Sequence, residues 1–255
     1  DKLGPNTEVI YEQAINFTND TLLVYADVKN QYAFEGKQGF KAEYFNNKDL
    51  SGKPEITRTE TELNHFWQEG QAVVQNIKAN NFSARYTTNF TAAENGSITF
   101  ELTADDGYRF LVNGKEELNP WTKNRWGGQT FELKTTKGAV YKLVVEYWQG
   151  EGKGNVALNA GNYKKTDFTA LVNRLKEADA FVFAGGISPQ LEGEEMKVNF
   201  PGFKGGDRTS ILLPAVQTEL MKALKTSGKP VVFVMMTGSA IAIPWEAQNV
   251  SAIVN

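Results

Sequence analysis

Asn95-Gly96-Ser97-Ile98-Thr99-Phe100-Glu101-Leu102-Thr103-Ala104-Asp105-Asp106-Gly107-Tyr108-Arg109-Phe110-Leu111-Val112-Asn113-Gly114 carries the clearest structural signal in the chain. Ile98, Phe100 and Leu102 recur at every second position, and so do Tyr108, Phe110 and Val112. That period places them on one face of a strand, as in a sandwich or barrel. Farther on, Tyr141, Leu143, Val145 and Tyr147 repeat the pattern. Turn-forming pairs punctuate the strands: Asn95-Gly96, Asp106-Gly107, Asn113-Gly114 and Lys137-Gly138. The first, third and fourth predict short hairpin loops, whose turns need positive φ. No amphipathic helix interrupts this zone, and residues 39–162 read as an all-β module.

Beyond it the period changes. In 163–255, Phe168, Leu171, Val172 and Leu175 are spaced for one helical face, with Thr166 or Asp167 as N-cap. Ala180-Phe181-Val182-Phe183-Ala184 predicts a strand buried on both faces. A helix follows over 213–226, with Pro214 in its first turn. Val231-Val232-Phe233-Val234-Met235-Met236 predicts a second buried strand, and 250–254 the start of a third. Alternating strand and helix implies a parallel sheet. Before the module, 1–38 contributes a turn at Leu3-Gly4-Pro5-Asn6 and a short strand at Glu8-Val9-Ile10-Tyr11, while 16–37 is polar and open in structure. The expected fold class is therefore α/β plus all-β: a partial parallel α/β sandwich, 1–38 and 163–255, interrupted by an inserted β-sandwich or barrel, 39–162. Neither flank alone is large enough to bury an α/β core. The chain opens at Asp1 without Met or signal peptide and closes at a strand, which predicts a processed or excised piece with an incomplete sheet.

Composition narrows the function. Hydrophobic residues at 41% and charged residues at 22% describe a globular chain. A net charge of -3, with no basic run, argues against nucleic acid and against a membrane surface as partners. No apolar run reaches the ~18–20 residues of a membrane span. Zero cysteine removes disulfides, thiolate nucleophiles and cysteine metal sites, and His65 is the single histidine. No metal and no cofactor is expected.

The chemistry points to one loop. In open α/β sheets, sites form beyond the carboxyl ends of the strands. The apolar run ending at Ala184 is followed by about 24 residues, 185–208, holding Glu192, Glu194, Glu195, Asp207 and Arg208 among glycines. Ordered loops longer than ~12–15 residues tend to be functional. Carboxylates at that place suit acid/base work, and a solvated acidic loop is the plainer alternative.

The stretch Gly185-Gly186-Ile187-Ser188-Pro189-Gln190-Leu191-Glu192-Gly193-Glu194-Glu195-Met196 resembles the acid/base loop of glycoside hydrolase family three, the β-glucosidases and β-xylosidases. So do Gly205-Gly206-Asp207-Arg208-Thr209, Leu213-Pro214, Gln217, Gly228-Lys229-Pro230-Val231-Val232, Gly238-Ser239-Ala240 and Pro244-Trp245. The resemblance implies a retaining glycosidase, with its nucleophilic Asp on a (β/α)₈ barrel outside this sequence and the acid/base on this loop. The family motif maps that role to Glu194. Glu195 stands where many members have Gly, and the spacer before Asp207-Arg208 is longer, so Glu192 and Glu195 remain rivals. The implied partners are an oligosaccharide or glycoside substrate and the absent barrel, without which this chain is expected to be inactive. The implied location is that of an exported bacterial protein, periplasmic or extracellular.

The β module resembles the PA-fourteen domain of anthrax protective antigen, through Gly39-Phe40-Lys41-Ala42-Glu43-Tyr44-Phe45, Phe82-Ser83-Ala84-Arg85-Tyr86, Thr103-Ala104-Asp105-Asp106-Gly107-Tyr108-Arg109, Val112-Asn113-Gly114 and Tyr147-Trp148. This module is commonly inserted at this point in family three enzymes. In yeast adhesin relatives the paired aspartates help hold calcium and a sugar, a motif that Asp105 and Asp106 fit, a polar loop turned by Gly107 being the plainer alternative. Trp121 and Trp126, in a polar loop, are candidates to stack on sugar faces, with Trp67 and Trp148 as further rings that core packing also explains. His65 reads as structural or surface.

Overall fold

A computed structural model describes residues 4–122, 127–193, 196 and 198–255. The chain forms two compact units, Leu23–Asn162 and a second built from Asp1–Leu22 with Tyr163–Asn255. Sheet predominates and helices are few.

Two antiparallel sheets make the first unit. One orders Thr21–Tyr25, Gly154–Lys165, Gly96–Asp105 and Gly127–Thr135, with Asn64–Trp67 also pairing on Gly154–Lys165. The other runs Lys115–Leu118, Gly107–Val112, Val140–Gln149, Phe82–Thr91, Tyr32–Phe34 and Lys37–Gln38, with Phe40–Phe45 on Phe82–Thr91 and Ile56–Glu60 beyond it. The alternating residues of both sheets meet in one core. Phe100 and Leu102 come from the first sheet; Phe110, Val145 and Tyr147 come from the second. Phe100 touches Phe90 and Phe110 across the sheets, with ring centroids 5.3 and 5.6 Å apart. Pairs at such spacing add to the area they bury.

Of the three predicted hairpins, one stands. Asn113 and Gly114 both take positive φ and join Gly107–Val112 to Lys115–Leu118 in one sheet. Asn95-Gly96 and Lys137-Gly138 instead carry the chain from one sheet to the other. Gly96 and Gly138 do have positive φ. The local geometry is as expected, but the strands they join pair with others.

The first junction also differs from the sequence reading. Residues 23–38 belong to the β unit, because Tyr32–Phe34 pairs with Phe82–Thr91 and Tyr32 packs on Phe40 and Phe90. The expected strand at Glu8-Val9-Ile10-Tyr11 is not formed. These residues are irregular and exposed, Tyr11 at 86%, with no ladder partner among the described residues.

In the second unit, Phe181–Gly186, Val231–Met236 and Ala252–Val254 form a parallel three-stranded sheet in that order. Helices Phe168–Arg174 and Ala215–Lys225 pack on one face, through Leu171, Leu220, Met221 and Leu224 against Phe181, Val231 and Phe233. Asp167 caps the first helix by accepting from the amides of Thr169 and Ala170. The opposite face is open: Val182 is 69% exposed. The expected two-sided burial of this strand is therefore not found.

Candidate functional site

The loop 185–208 starts where the Phe181–Gly186 strand ends. Gly186 has φ +133, and a Cβ there would strike the Met236 carbonyl oxygen. Only glycine lets the chain leave the sheet this close to its neighbour. Gln217, 1% exposed on the Ala215–Lys225 helix, fixes this exit. Its Oε1 accepts from the Gly186 amide at 2.8 Å, and its Nε2 donates to the carbonyls of Gly186 at 2.8 Å and Phe17 at 2.9 Å. The N-terminal segment is held nearby, where Thr166 Oγ1 donates to the Ala14 carbonyl at 2.6 Å and Arg174 pairs with Glu12.

The loop has its own small core of Ile187, Leu191, Val198 and Phe203, with Met196 and Ile241 against it. Three short antiparallel strands, Asn199–Phe200, Phe203–Lys204 and Asp207–Arg208, fold its second half. The Gly193 amide donates to Gly206 O at 3.1 Å and the Met196 amide to Gly205 O at 3.0 Å.

Of the three rival carboxylates, Glu192 lies among the described residues, and Glu194 and Glu195 lie outside them. Glu192 Oε2 accepts from the Ser239 hydroxyl at 2.8 Å. Arg208 donates through Nη1 to Ser239 Oγ at 3.3 Å and to the Ala240 carbonyl, and through Nε to Ser210 O at 3.2 Å. Thr237 fixes Ser239 locally, its Oγ1 donating to Ser239 O at 2.7 Å and accepting from Ser239 N at 3.1 Å. Asp207 is exposed. Ser239 was not among the expected site residues. The signal was present: the strands ending at Gly186 and Met236 pair in parallel, so the segments leaving their carboxyl ends emerge at one edge of the sheet.

In the β unit, Asp105 and Asp106 sit at the end of Gly96–Asp105, joined by a cis peptide. Asp106 is 5% exposed, and its Oδ2 accepts from the Gly150 amide at 2.5 Å. The Tyr147 hydroxyl donates to the Asp105 carbonyl. Burial, reinforced by the charges of Asp106 and Asp105, pushes that phenol well above its ordinary range. Trp148 Nε1 donates to the Trp121 carbonyl at 2.9 Å, and a Cβ on Gly107 would collide with that indole. The Arg109 guanidinium lies 4.2 Å from the Trp121 ring centroid and the Lys48 ammonium 5.1 Å from that of Trp148. Trp126 lies outside the described residues. Trp67 is 2% exposed and belongs to the core.

His65 Nε2 is 2.6 Å from Glu60 Oε2, and Arg58 Nε donates to Glu60 Oε1 at 2.7 Å. Burial raises the Glu60 carboxyl, but bonds from His65, Tyr44 and Arg58 outweigh it and hold the group below its ordinary value. No group of three or more His, Cys, Asp and Glu suited to a metal occurs among the described residues. For calcium, the aspartate pair offers two carboxylates, one already engaged by Gly150, against the ~6–8 oxygens that ion takes. The donor set does not fit a tight calcium site. Among the described residues, no helix is long and apolar enough to cross a membrane.

Among known proteins, the chain is 35% identical over 251 residues to a xylan 1,4-β-xylosidase of Xylanibacter ruminicola, covering 97% of this chain and 29% of that protein. It is 28% identical over 216 residues to a β-glucosidase of Rhizobium radiobacter, covering 80% of this chain and 25% of that one. It thus spans less than a third of the length of either relative. A β-glucosidase structure from Kluyveromyces marxianus aligns over 90% of this chain and 29% of its own, at 18% identity and a TM-score of 0.47. The family profile described as the PA14 domain matches residues 36–172, more than half of the sequence, and the chain belongs to that family.

Proposed function

We propose that this chain is the acid/base-bearing segment of a retaining β-glycosidase of family three, a β-xylosidase or β-glucosidase that removes terminal β-linked sugars from plant-type oligosaccharides. The carrying observation is the 251-residue similarity to a xylan 1,4-β-xylosidase, which runs through both units and includes the carboxylate loop at the sheet's carboxyl edge. Glu194 protonates the leaving oxygen while an Asp on a barrel elsewhere in the parent attacks the anomeric carbon. Glu194 then activates the water that releases the sugar. The open sheet face around Val182 is where the parent completes an α/β sandwich, since parallel sheets are covered on both faces. The PA14 module is a carbohydrate-binding insert, offering Asp105 and Asp106 to hydroxyls and the rings of Trp121 and Trp126 to sugar faces. The parent is exported, to the periplasm or the medium, and this chain alone turns nothing over.

The test is chemical rescue. In the full-length parent, Glu194→Gly should lose roughly 10²–10⁴-fold on unactivated substrates, the usual worth of general acid–base assistance. Azide, which needs no base, should restore turnover of activated aryl glycosides. Rescue at Glu192 or Glu195 in place of Glu194 moves the assignment. No effect at any of the three defeats the reading. A second reading, a non-catalytic sugar-binding module on an α/β scaffold, is favoured by the rings of Trp121 and Trp148 with their flanking cations. Glycan binding by the isolated chain, with a parent inert toward all glycosides, would establish it.

A further inference from the structure

We propose that Glu192, Ser239 and Arg208 form a clamp that positions the acid/base loop, and that Glu192 is not itself the acid/base. This rests on the glycosidase reading above. The three side chains come from separated places: the loop's first half, the turn after Val231–Met236, and the loop's last short strand. The Ser239 hydroxyl joins them, donating to Glu192 Oε2 at 2.8 Å and accepting from Arg208 Nη1 at 3.3 Å. Each group is used in its natural sense: a carboxylate accepts, a guanidinium donates, and a hydroxyl does both. The Arg208 fork also holds the carbonyls of Ser210, Ala240 and Leu212, so it ties the loop's end to the turn that carries Ser239. Glu192 at one end and Arg208 at the other are thereby both tied to the turn that carries Ser239. Glu192 Oε2 is turned onto a scaffold hydroxyl and ties the loop to that turn, while the family motif gives the acid/base role to Glu194. Glu192 therefore works through the loop, as a positioning residue.

The test has two arms. In the isolated chain, hydrogen exchange is read at the amides of Gly193 and Met196, which bond to Gly206 O and Gly205 O. Ser239→Ala and Glu192→Ala should each speed their exchange about tenfold or more, as expected when a local opening becomes easier. The Gly186 amide, held by Gln217, should not change, and Ser239→Thr, which keeps the hydroxyl, should resemble the parent residue. In the full-length enzyme, Ser239→Ala should lower kcat/KM by roughly 10–100-fold, the scale of a small misplacement of a reacting group. The Glu192→Ala, Ser239→Ala double variant should be no worse than either single, because the residues act as one unit. Azide should not rescue Glu192→Gly. Azide rescue at Glu192, multiplying losses, or unchanged exchange at Gly193 and Met196 each overturns the clamp. Faster exchange with turnover unchanged at Glu192, Glu194 and Glu195 overturns the glycosidase reading instead, and with it the clamp's catalytic purpose.

Discussion

Replacing Gln217 with Ala should destabilise the second unit by about 3 kcal/mol, since a buried polar group left without a partner costs ~1–3 kcal/mol. The side chain makes three hydrogen bonds at 2.8, 2.8 and 2.9 Å while almost wholly buried. Its loss strands the Gly186 amide outright. The Gly186 and Phe17 carbonyls suffer less, because each keeps a second lone pair. One full penalty and two partial ones sum to about 3 kcal/mol. For a unit of this size that is a fall in melting temperature of roughly 10–20 °C. Calorimetry on the isolated chain is the assay. The transition of the Tyr163–Asn255 unit should drop while that of Leu23–Asn162 stays, because distant sites act independently. Trp245, the single tryptophan of 163–255, reports the same event spectroscopically in a variant whose other tryptophans are replaced by Phe. The exposed Gln190→Ala serves as a control and should shift nothing. A loss below about 1 kcal/mol, the worth of one ordinary hydrogen bond, would show that the three-way bridge is not what holds the loop's exit.

Residues 23–162 expressed alone should show a cooperative thermal transition, and 39–162 a lower one, because starting at Gly39 deletes Tyr32 from between Phe40 and Phe90; equal melting of the two pieces would refute this. Glu60, held below its ordinary value of 4.5 in the folded state, contributes stability that is present above that value and lost as pH falls through the folded one. Acid melting curves of Glu60→Gln should therefore be flatter below about pH 4.5 than those of the parent chain, and parallel curves would remove Glu60 from the account. Titration calorimetry should find no calcium binding at micromolar or tighter affinity; such binding, abolished by Asp106→Ala, would contradict the donor argument.

Local conformation was legible in the sequence. Alternation from Ile98 to Val112 specified strands with one buried face, since side chains on an extended chain point to opposite sides. Asn113-Gly114 specified its hairpin because positive φ at both positions fits few other residues. The change of period after 163 specified helices and parallel strands, and the motif around Glu192 placed the candidate loop at a strand's carboxyl end. Which strands meet was a matter for the folded chain. Gly96 and Gly138 turn as their residues require, yet the chain they turn crosses between sheets, a choice made by the shared core and not by the turn. Polar composition left 23–38 without a signal until Tyr32 found its aromatic neighbours. An apolar run at Val9 to Tyr11 did not make a strand, because strand hydrogen bonds need a partner that local sequence does not supply. Ser239 became a site residue only through Glu192 and Arg208, which lie 47 and 31 positions away along the chain. A serine's meaning at such a place is set by what folding brings to it, whereas a glycine's or a strand's period is fixed by its own backbone.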